Sequence, residues 1–384
     1  MKKRQIFCFA LIQLGYWGYY ATFCGYITAL LVENGISNTG LSAAVFGYQA
    51  CAFAGSFLLG QICDRAQSNK KPVLLLSLLV LALSILLSHF SADNRVIALV
   101  YAIIGLTFGP MISCVDAWIL HTFPGDGALY GKLRAMGPFT LAAGMLFQGQ
   151  MIERYGYDIM IRGGVITVGI VLAASLALPD VARTEHRAAR HSSQDLKALL
   201  GNSNYTSLLM ILFLVGMAVA PVNNLKVSII RNLDGSVGWF GADNFFGIMM
   251  QVPLLFLAGR ICRLSLKTRY VLLGILPCGM LILDLLAVHP VMVILGTCIN
   301  NMAYAVQLPT MREVTETYVD GEQKNLGHNL MDAVYGCMAG MISAMYAGVV
   351  MDLAGMKMLF SVCMVMQAAA GILVVRYCLK RDKT

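Results

Sequence analysis

The chain has 384 residues, of which 58% are hydrophobic and only 12% are charged, and its mean hydropathy is +0.71. Soluble domains are roughly 45–50% apolar and about 25% charged. The excess apolar residues stand in long blocks, which excludes a disordered chain, a collagen-like fibre, a disulfide scaffold and an ordinary cytosolic enzyme. The composition therefore indicates an integral membrane protein.

The net charge of +8 does not indicate nucleic-acid binding, because the cations lie in short segments between the apolar blocks. Such a distribution is typical of a membrane-orientation signal. The eleven cysteines include no C-x-x-C pair, and most stand within apolar runs. We interpret them as small hydrophobic residues and expect neither a metal site nor a disulfide framework.

Twelve apolar stretches are long enough to cross a bilayer, since about 20 helical residues span its hydrocarbon core. The first follows the basic residues 2–4 and has no A-x-A cleavage site, so we expect a retained helix rather than a signal peptide. In chain order the stretches are 6–31, 42–62, 72–90, 96–119, 134–152, 160–178, 206–229, 240–260, 270–288, 291–311, 331–351 and 357–377.

The loop cations predict the orientation of these stretches. With the amino terminus on side one, 22 Lys and Arg residues fall on that side and five on the other. This bias predicts that both termini are cytoplasmic. The longest polar segment separates six stretches from six, which predicts an amino-terminal bundle at 1–182, a cytoplasmic linker at 183–204 and a carboxy-terminal bundle at 205–384.

The two halves are related in sequence at a constant offset of 199 residues. Gly60-x-Ile-Cys recurs at Gly259, and Pro110 recurs as Pro309. The further matches at this offset are Gly137 with Gly336, Gly149 with Gly348 and Gly156 with Gly355. A constant offset over several landmarks predicts a duplicated six-helix unit with parallel halves.

The segment GQICDRAQSNKK at residues 60–71 resembles the signature loop between the second and third helices of the major facilitator superfamily. The residues that carry the resemblance are Gly60, Asp64, Arg65, Lys70 and Lys71, although the later glycine of the motif is absent and the basic pair is slightly displaced. The resemblance implies an all-α membrane protein of twelve transmembrane helices in two six-helix bundles.

A second resemblance lies in the fourth and fifth stretches, where VDAW at 115–118 is followed by YGKLRAMG at 130–137. These segments resemble the oligosaccharide:proton symporters of the lactose permease type and the related phenylpropionate and nucleoside permeases. The resemblance implies that Asp116 and Arg134 contact substrate. On physical grounds a carboxylate in a membrane helix needs a partner or a hydrated cavity, so a static salt bridge between the same two residues is an alternative.

Two departures from that family bear on the substrate. Leu141 stands where those permeases have a tryptophan that stacks on a galactosyl ring, and the stretch around Asn300 and Tyr304 has neither the histidine nor the glutamate that handles protons there. Galactoside specificity is therefore not implied, and the coupling residue is not assigned.

Lys226 has no charged neighbour in its stretch, and an isolated ammonium would be costly in the membrane. The family fold makes the seventh and eleventh helices neighbours, so the resemblance implies that Lys226 pairs with Asp332. The alternative is that Lys226 extends to water by itself.

Other polar groups within the stretches are candidates for a substrate cavity or for helix packing. Tyr16 and Tyr20 lie four residues apart on one face of the first helix, where their rings suit stacking on a sugar or aromatic solute. Uncharged amides occur in the seventh and tenth stretches, at Asn223, Asn224, Asn300 and Asn301.

No catalytic motif stands out: H-E-x-x-H and G-x-S-x-G are absent, and the glycine-rich segment at 125–132 lacks P-loop spacing. We therefore expect a secondary transporter of the cell membrane rather than an enzyme, with no cofactor and no metal. It is expected to be a monomer in membrane lipid that moves a small solute by alternating access, with protons as the coupling ion in symport. Proton-driven efflux of amphipathic compounds is the alternative.

Overall fold

The computed structural model describes residues 2–65, 68–181, 197, 199–319 and 323–381. These residues fold into α-helices with short connections. The helices are α1 Lys2–Thr22, α2 Ile27–Glu33, α3 Asn38–Arg65, α4 Lys70–His89, α5 Asn94–Thr122, α6 Gly127–Tyr155, α7 Asp158–Leu176, α8 Ser203–Asn224, α9 Lys226–Asn232, α10 Val237–Phe256, α11 Ala258–Ile261, α12 Leu266–Leu285, α13 Pro290–Tyr318, α14 Lys324–Asp332 and α15 Ala339–Arg381.

Each apolar stretch of the sequence coincides with helical structure. Seven helical segments of the described chain are long and apolar enough to cross a membrane, counting Leu326–Leu379 as one. Short polar side chains start several helices by accepting hydrogen bonds from free backbone N–H groups: Asp93 starts α5, Asp126 starts α6 and Asn202 starts α8. The all-α membrane fold that the sequence predicts is confirmed.

The chain forms two compact units. Unit 1 comprises Met1–Ile36, Ala44–Arg187 and Ser236–Phe245, and unit 2 comprises Ser37–Ala43, Ala188–Gly235 and Phe246–Thr384. In unit 1, α1 packs on α6 and α7, and α4 packs on α5 and α7. In unit 2, α8 packs on α15, and α12 packs on α13. Residues 183–196 and 198 of the predicted linker lie outside the described residues, so its bounds stay a prediction.

The predicted repeat is visible in the backbone. Gly156 ends α6 with φ 78° and ψ 179°, and Gly355 interrupts α15 with φ 81° and ψ 174°. Positive φ is favourable for glycine because it lacks a Cβ atom. Pro110 and Pro309 likewise lie inside the 29-residue helices α5 and α13. Residues 199 positions apart thus adopt the same local conformation in the two halves.

A proline inside a helix has no N–H, so the carbonyl four residues earlier loses its hydrogen-bond donor. This loss is costly in a membrane unless another group donates to that carbonyl. Pro221 in α8 frees the Met217 carbonyl, which accepts a hydrogen bond of 3.1 Å from the Tyr346 hydroxyl. Pro277 in α12 frees the Leu273 carbonyl, and the Gln367 amide donates to it at 3.3 Å. Side chains of α15 therefore stabilise α8 and α12 where these prolines interrupt their hydrogen bonding.

We expect Tyr346→Phe to destabilise the protein by about 1 kcal/mol, the usual net contribution of one hydrogen bond. In a Pro221→Ala background the same change should cost much less, because the alanine N–H can donate to the Met217 carbonyl. Thermal unfolding in detergent of the two single variants and the double variant measures this difference. Additive losses would show that the Tyr346 hydroxyl does not compensate for Pro221.

Candidate functional site

The centre of the candidate site is an ion pair between two consecutive helices of unit 1. Arg134 Nε of α6 lies 3.4 Å from Asp116 Oδ2 of α5. The other carboxylate oxygen accepts a 3.4 Å hydrogen bond from the Gln13 amide of α1. The loop between α5 and α6 is short, and the Asp126 side chain fixes the start of α6 by accepting from the Leu129 N–H. The local chain path thus brings Asp116 and Arg134 together.

An aromatic ring covers one side of the guanidinium. The Arg134 guanidinium carbon is 5.3 Å from the centre of the Trp17 ring, within the range of a cation–π interaction. Gly137 makes this possible, since a Cβ atom there would lie 2.5 Å from Trp17 Nε1. The Tyr130 hydroxyl lies beside both charged groups. The site therefore combines one acid, one base, an indole, an amide and a phenol.

The ion pair is partly open to solvent. The Arg134 side chain is 35% exposed and that of Asp116 is 20% exposed. Its shortest contact is longer than the roughly 2.7–2.9 Å of strong charge-assisted hydrogen bonds. Part of each side chain therefore faces solvent.

A second ion pair, in unit 2, has a different geometry. Arg269 of α12 is 2% exposed and donates two hydrogen bonds, of 2.9 and 2.7 Å, to Glu313 of α13, whose side chain is 40% exposed. This bidentate geometry fixes the two helices together. Arg269 is not among the predicted site residues, although it stands 199 residues after Lys70 and the repeat could have indicated it.

The two tyrosines predicted on one face of the first helix differ in their surroundings. Tyr16 is 1% exposed, its ring stacks 4.0 Å from that of Phe108, and its hydroxyl donates to the Phe108 carbonyl at 2.9 Å. Tyr20 lies 5.5 Å from the same phenylalanine ring and keeps part of its surface exposed. Tyr16 is thus a packing residue here, and Tyr20 remains available to a solute.

The four predicted amides belong to unit 2. Asn224 donates to the Gly340 carbonyl at 3.4 Å, and Asn301 donates to the Thr297 carbonyl of its own helix at 2.9 Å. Asn223 is exposed and Asn300 is partly exposed. Two of the amides therefore support helices, and the other two present polar groups to the surroundings of unit 2.

The predicted pair between Lys226 and Asp332 is wrong. Lys226 is 3% exposed and its Nζ donates to Thr297 Oγ1 at 2.7 Å, whereas Asp332 accepts from Arg312 at 2.8 Å. The Tyr205 hydroxyl donates to the Gly327 carbonyl, which places α14 beside the start of α8. Lys226 follows the end of α8, which at 1.5 Å per residue lies about 30 Å from the start of that helix. The two charges are at different depths in unit 2.

The signature loop has a structural contact in unit 1. The Lys70 Nζ donates to the Leu176 and Leu178 carbonyls at 3.0 and 2.7 Å, and so stabilises the carboxy-terminal end of α7. The Lys71 N–H donates to the Ser68 hydroxyl at 3.0 Å. Gly60, Asp64 and Arg65 belong to the end of α3, and their side chains lie outside the described part.

Comparison with known proteins identifies the fold and the family. Among solved structures, the nucleoside transporter NupG is 13% identical over 99% of both chains with a TM-score of 0.81, and the D-xylose-proton symporter is 13% identical over 97% of this chain and 96% of its own with a TM-score of 0.70. The maltose permease of Geobacillus stearothermophilus is 22% identical over 333 residues, which are 83% of this chain and 81% of that protein. The model of the MFS_1 like family matches residues 9–362, so this chain belongs to that family and is a major facilitator superfamily transporter.

Proposed function

We propose that the protein is a secondary active transporter that imports a small neutral, hydroxylated solute by alternating access, together with protons. The observation that carries the proposal is the open Asp116–Arg134 pair beside Trp17. A carboxylate and a guanidinium that compensate each other suit a solute without net charge. The acid accepts hydrogen bonds from solute hydroxyls, the guanidinium donates to hydroxyl or ring oxygens, and the indole provides a face for a ring.

The contrast between the two ion pairs favours this role over a static salt bridge. Arg269 is 2% exposed and holds the 40% exposed Glu313 with two hydrogen bonds of 2.9 and 2.7 Å. Arg134 is 35% exposed, and its shortest contact with Asp116 is 3.4 Å. The longer contact and the more exposed guanidinium make it easier for a ligand to rearrange the Asp116–Arg134 pair.

The relatives support the same substrate class. Their names specify maltose, nucleosides and D-xylose, all of which are neutral molecules that carry hydroxyl groups on a ring. One of them is named a proton symporter, which supports protons as the coupling ion. Efflux of amphipathic compounds has less support, because a hydrated ion pair suits a polar solute better than an apolar one.

The charge distribution supports insertion in the cell membrane with both termini in the cytoplasm, since 22 loop cations lie on that side against five. The solute would thus enter from outside and leave into the cytoplasm. In this proposal membrane lipid surrounds the protein. A monomer is sufficient, because one chain contains both bundles.

Uptake of labelled maltose, D-xylose and a panel of nucleosides into membrane vesicles tests the proposed activity. We expect saturable uptake of one of these compounds, faster with an inward proton gradient than after its collapse by an uncoupler. Uptake that ignores the proton gradient would contradict symport. Absence of uptake for every neutral hydroxylated compound, with active transport of an amphipathic cation outward, would contradict the substrate class and direction.

We expect Asp116→Asn and Arg134→Gln each to reduce uptake by about 100-fold, because bound solute would displace water from the pair, and a charge that then lacks its partner costs roughly 2–5 kcal/mol. Amounts of protein in the membrane should stay normal. Asp126→Asn is the matched control, because Asp126 is a 37% exposed acid of the same hairpin that pairs with Lys2 at 3.5 Å, and asparagine can still accept the hydrogen bond from the Leu129 N–H. Normal uptake by an Asp116→Arg, Arg134→Asp double variant would show that the pair is only structural.

Reporter fusions test the orientation. Fusions after Ser193 and after Thr384 should both report a cytoplasmic location, because the positively charged loops stay on the cytoplasmic side. A fusion after Arg95, in a loop of the opposite side, is the control and should report the exterior. An exterior signal after Ser193 would contradict the proposed separation of the two bundles.

A further inference from the structure

Three tyrosines from three helices of unit 1 lie together, and we call them the phenol cluster: Tyr20 of α1, Tyr48 of α3 and Tyr101 of α5. The rings of Tyr48 and Tyr101 stack with their centres 4.3 Å apart. The Cys24 thiol lies beside the Tyr48 hydroxyl and interacts electrostatically with the hydroxyls of Tyr20 and Tyr101. The polar ends of the three side chains therefore converge on one place.

A close approach of two helices makes the stacking possible. A Cβ atom at Gly105 of α5 would overlap the Tyr48 carbonyl of α3 and lie 3.0 Å from the Tyr48 ring. Gly105 stands one turn after Tyr101, so the backbone contact lies next to the stacked rings. The position of the Tyr48 ring is thus fixed by the packing of α3 on α5.

Two hydroxyl groups of the phenol cluster keep their hydrogen-bonding capacity. Within the part of the chain that the structure describes, the hydroxyls of Tyr20 and Tyr101 make no hydrogen bond, although Tyr101 is only 9% exposed. The neighbouring Tyr19 is 1% exposed, and its hydroxyl is bonded to that of Ser84 at 3.0 Å. A buried phenol without a partner is costly, so the hydroxyls of the cluster suit a polar ligand.

The phenol cluster continues the line of the Asp116–Arg134 site. Gln13, which binds Asp116, and Tyr20 are seven residues apart on α1. Seven residues are almost two turns, so both side chains leave the helix on the same face, about 10 Å apart along its axis. Trp17, which covers Arg134, lies between them on that face. One face of α1 therefore leads from the ion pair to the phenol cluster.

The rings along this face are held in place, yet part of their surface is accessible. The Tyr20 ring packs 5.5 Å from that of Phe108, and Tyr48 stacks on Tyr101. Trp17, Tyr20 and Tyr48 each keep part of their surface exposed. A side chain that is already fixed loses little conformational entropy when a ligand binds to it. These rings are therefore suited to stacking on a solute.

We propose that the phenol cluster is a second subsite, which binds the second ring of a solute whose first ring lies on Trp17 beside the Asp116–Arg134 pair. The tyrosine rings would stack on the second ring, and the free hydroxyls would exchange hydrogen bonds with its polar groups. A span of about 10 Å exceeds one sugar ring. The protein should therefore prefer two linked rings, as in a disaccharide or a nucleoside, to a monosaccharide. This inference rests on the proposed function, because it extends the same solute site.

Calorimetric titration of the purified full-length protein tests the preference. The probes are two matched pairs: maltose with glucose, and uridine with ribose. We expect one of the two-ring compounds to bind at least about tenfold more tightly than its own one-ring part, since it gains ring stacking and hydrogen bonds. The maltose and uridine arms distinguish a second sugar ring from a base. Equal affinity for the one-ring and two-ring members of both pairs would overturn the subsite.

Conservative variants locate the effect. Tyr20→Phe and Tyr101→Phe should each weaken binding of the two-ring compound about fivefold, the usual range for one hydrogen bond, and leave binding of its one-ring part unchanged. Tyr19→Phe is the matched control, because it removes a buried hydroxyl from the same helix, and its affinity ratio should stay at the wild-type value. Equal losses for both compounds in the cluster variants would contradict a separate second subsite.

Hydroxyl-radical footprinting read by mass spectrometry tests the cluster without any solute. Tyr20 and Tyr48 should be labelled faster than Tyr16 and Tyr19, which are each 1% exposed. A bound two-ring compound should protect Tyr20 and Tyr48, and its one-ring part should not. If none of the four compounds binds, the proposed substrate class is refuted. The footprint then decides the subsite by itself: labelled rings support it, and unlabelled rings overturn it.

Discussion

Every backbone N–H and C=O group in the hydrocarbon core of a membrane must find its partner within the protein. Continuous helices meet most of this requirement by themselves, which explains why the apolar stretches of this chain are mainly helical. The exceptions show the constraint most directly. Pro221 and Pro277 each free a carbonyl, and the polar side chains of Tyr346 and Gln367 bind those carbonyls. Some polar side chains within apolar helices thus form hydrogen bonds with backbone groups of neighbouring helices.

The same requirement separates the structural charges from those suited to a site. Arg269 is buried and makes a bidentate contact to Glu313, which holds α12 to α13. Arg134 and Asp116 have a longer shortest contact, and both keep part of their surface in water. This difference is the basis of the binding role proposed for Asp116 and Arg134.

Features that depend on local sequence could be predicted, and features that depend on helix rotation or depth could not. Asp116 and Arg134 were identified because a short loop brings α5 and α6 together, and Gly156 and Gly355 because the repeat preserves them. The contribution of Gln13 and Trp17 was missed, since α1 is apolar on all sides and its sequence does not show which face meets α5 and α6. Lys226 was assigned to Asp332 from helix adjacency alone, whereas the Thr297 contact depends on its depth along α8 and α9.

The two halves have glycines and prolines at equivalent positions but differ in their charged residues. The counterpart of Asp116 at the offset of 199 residues is Thr315, whose hydroxyl binds the Met311 carbonyl of its own helix. The counterpart of Arg134 is Ala333, which begins a π-helix at Ala333–Met338. π-Helical turns are frequent at functional sites because they redirect side chains within a helix. The first half thus has a charged pair at this position, while the second half has a hydroxyl that binds its own helix and an altered backbone.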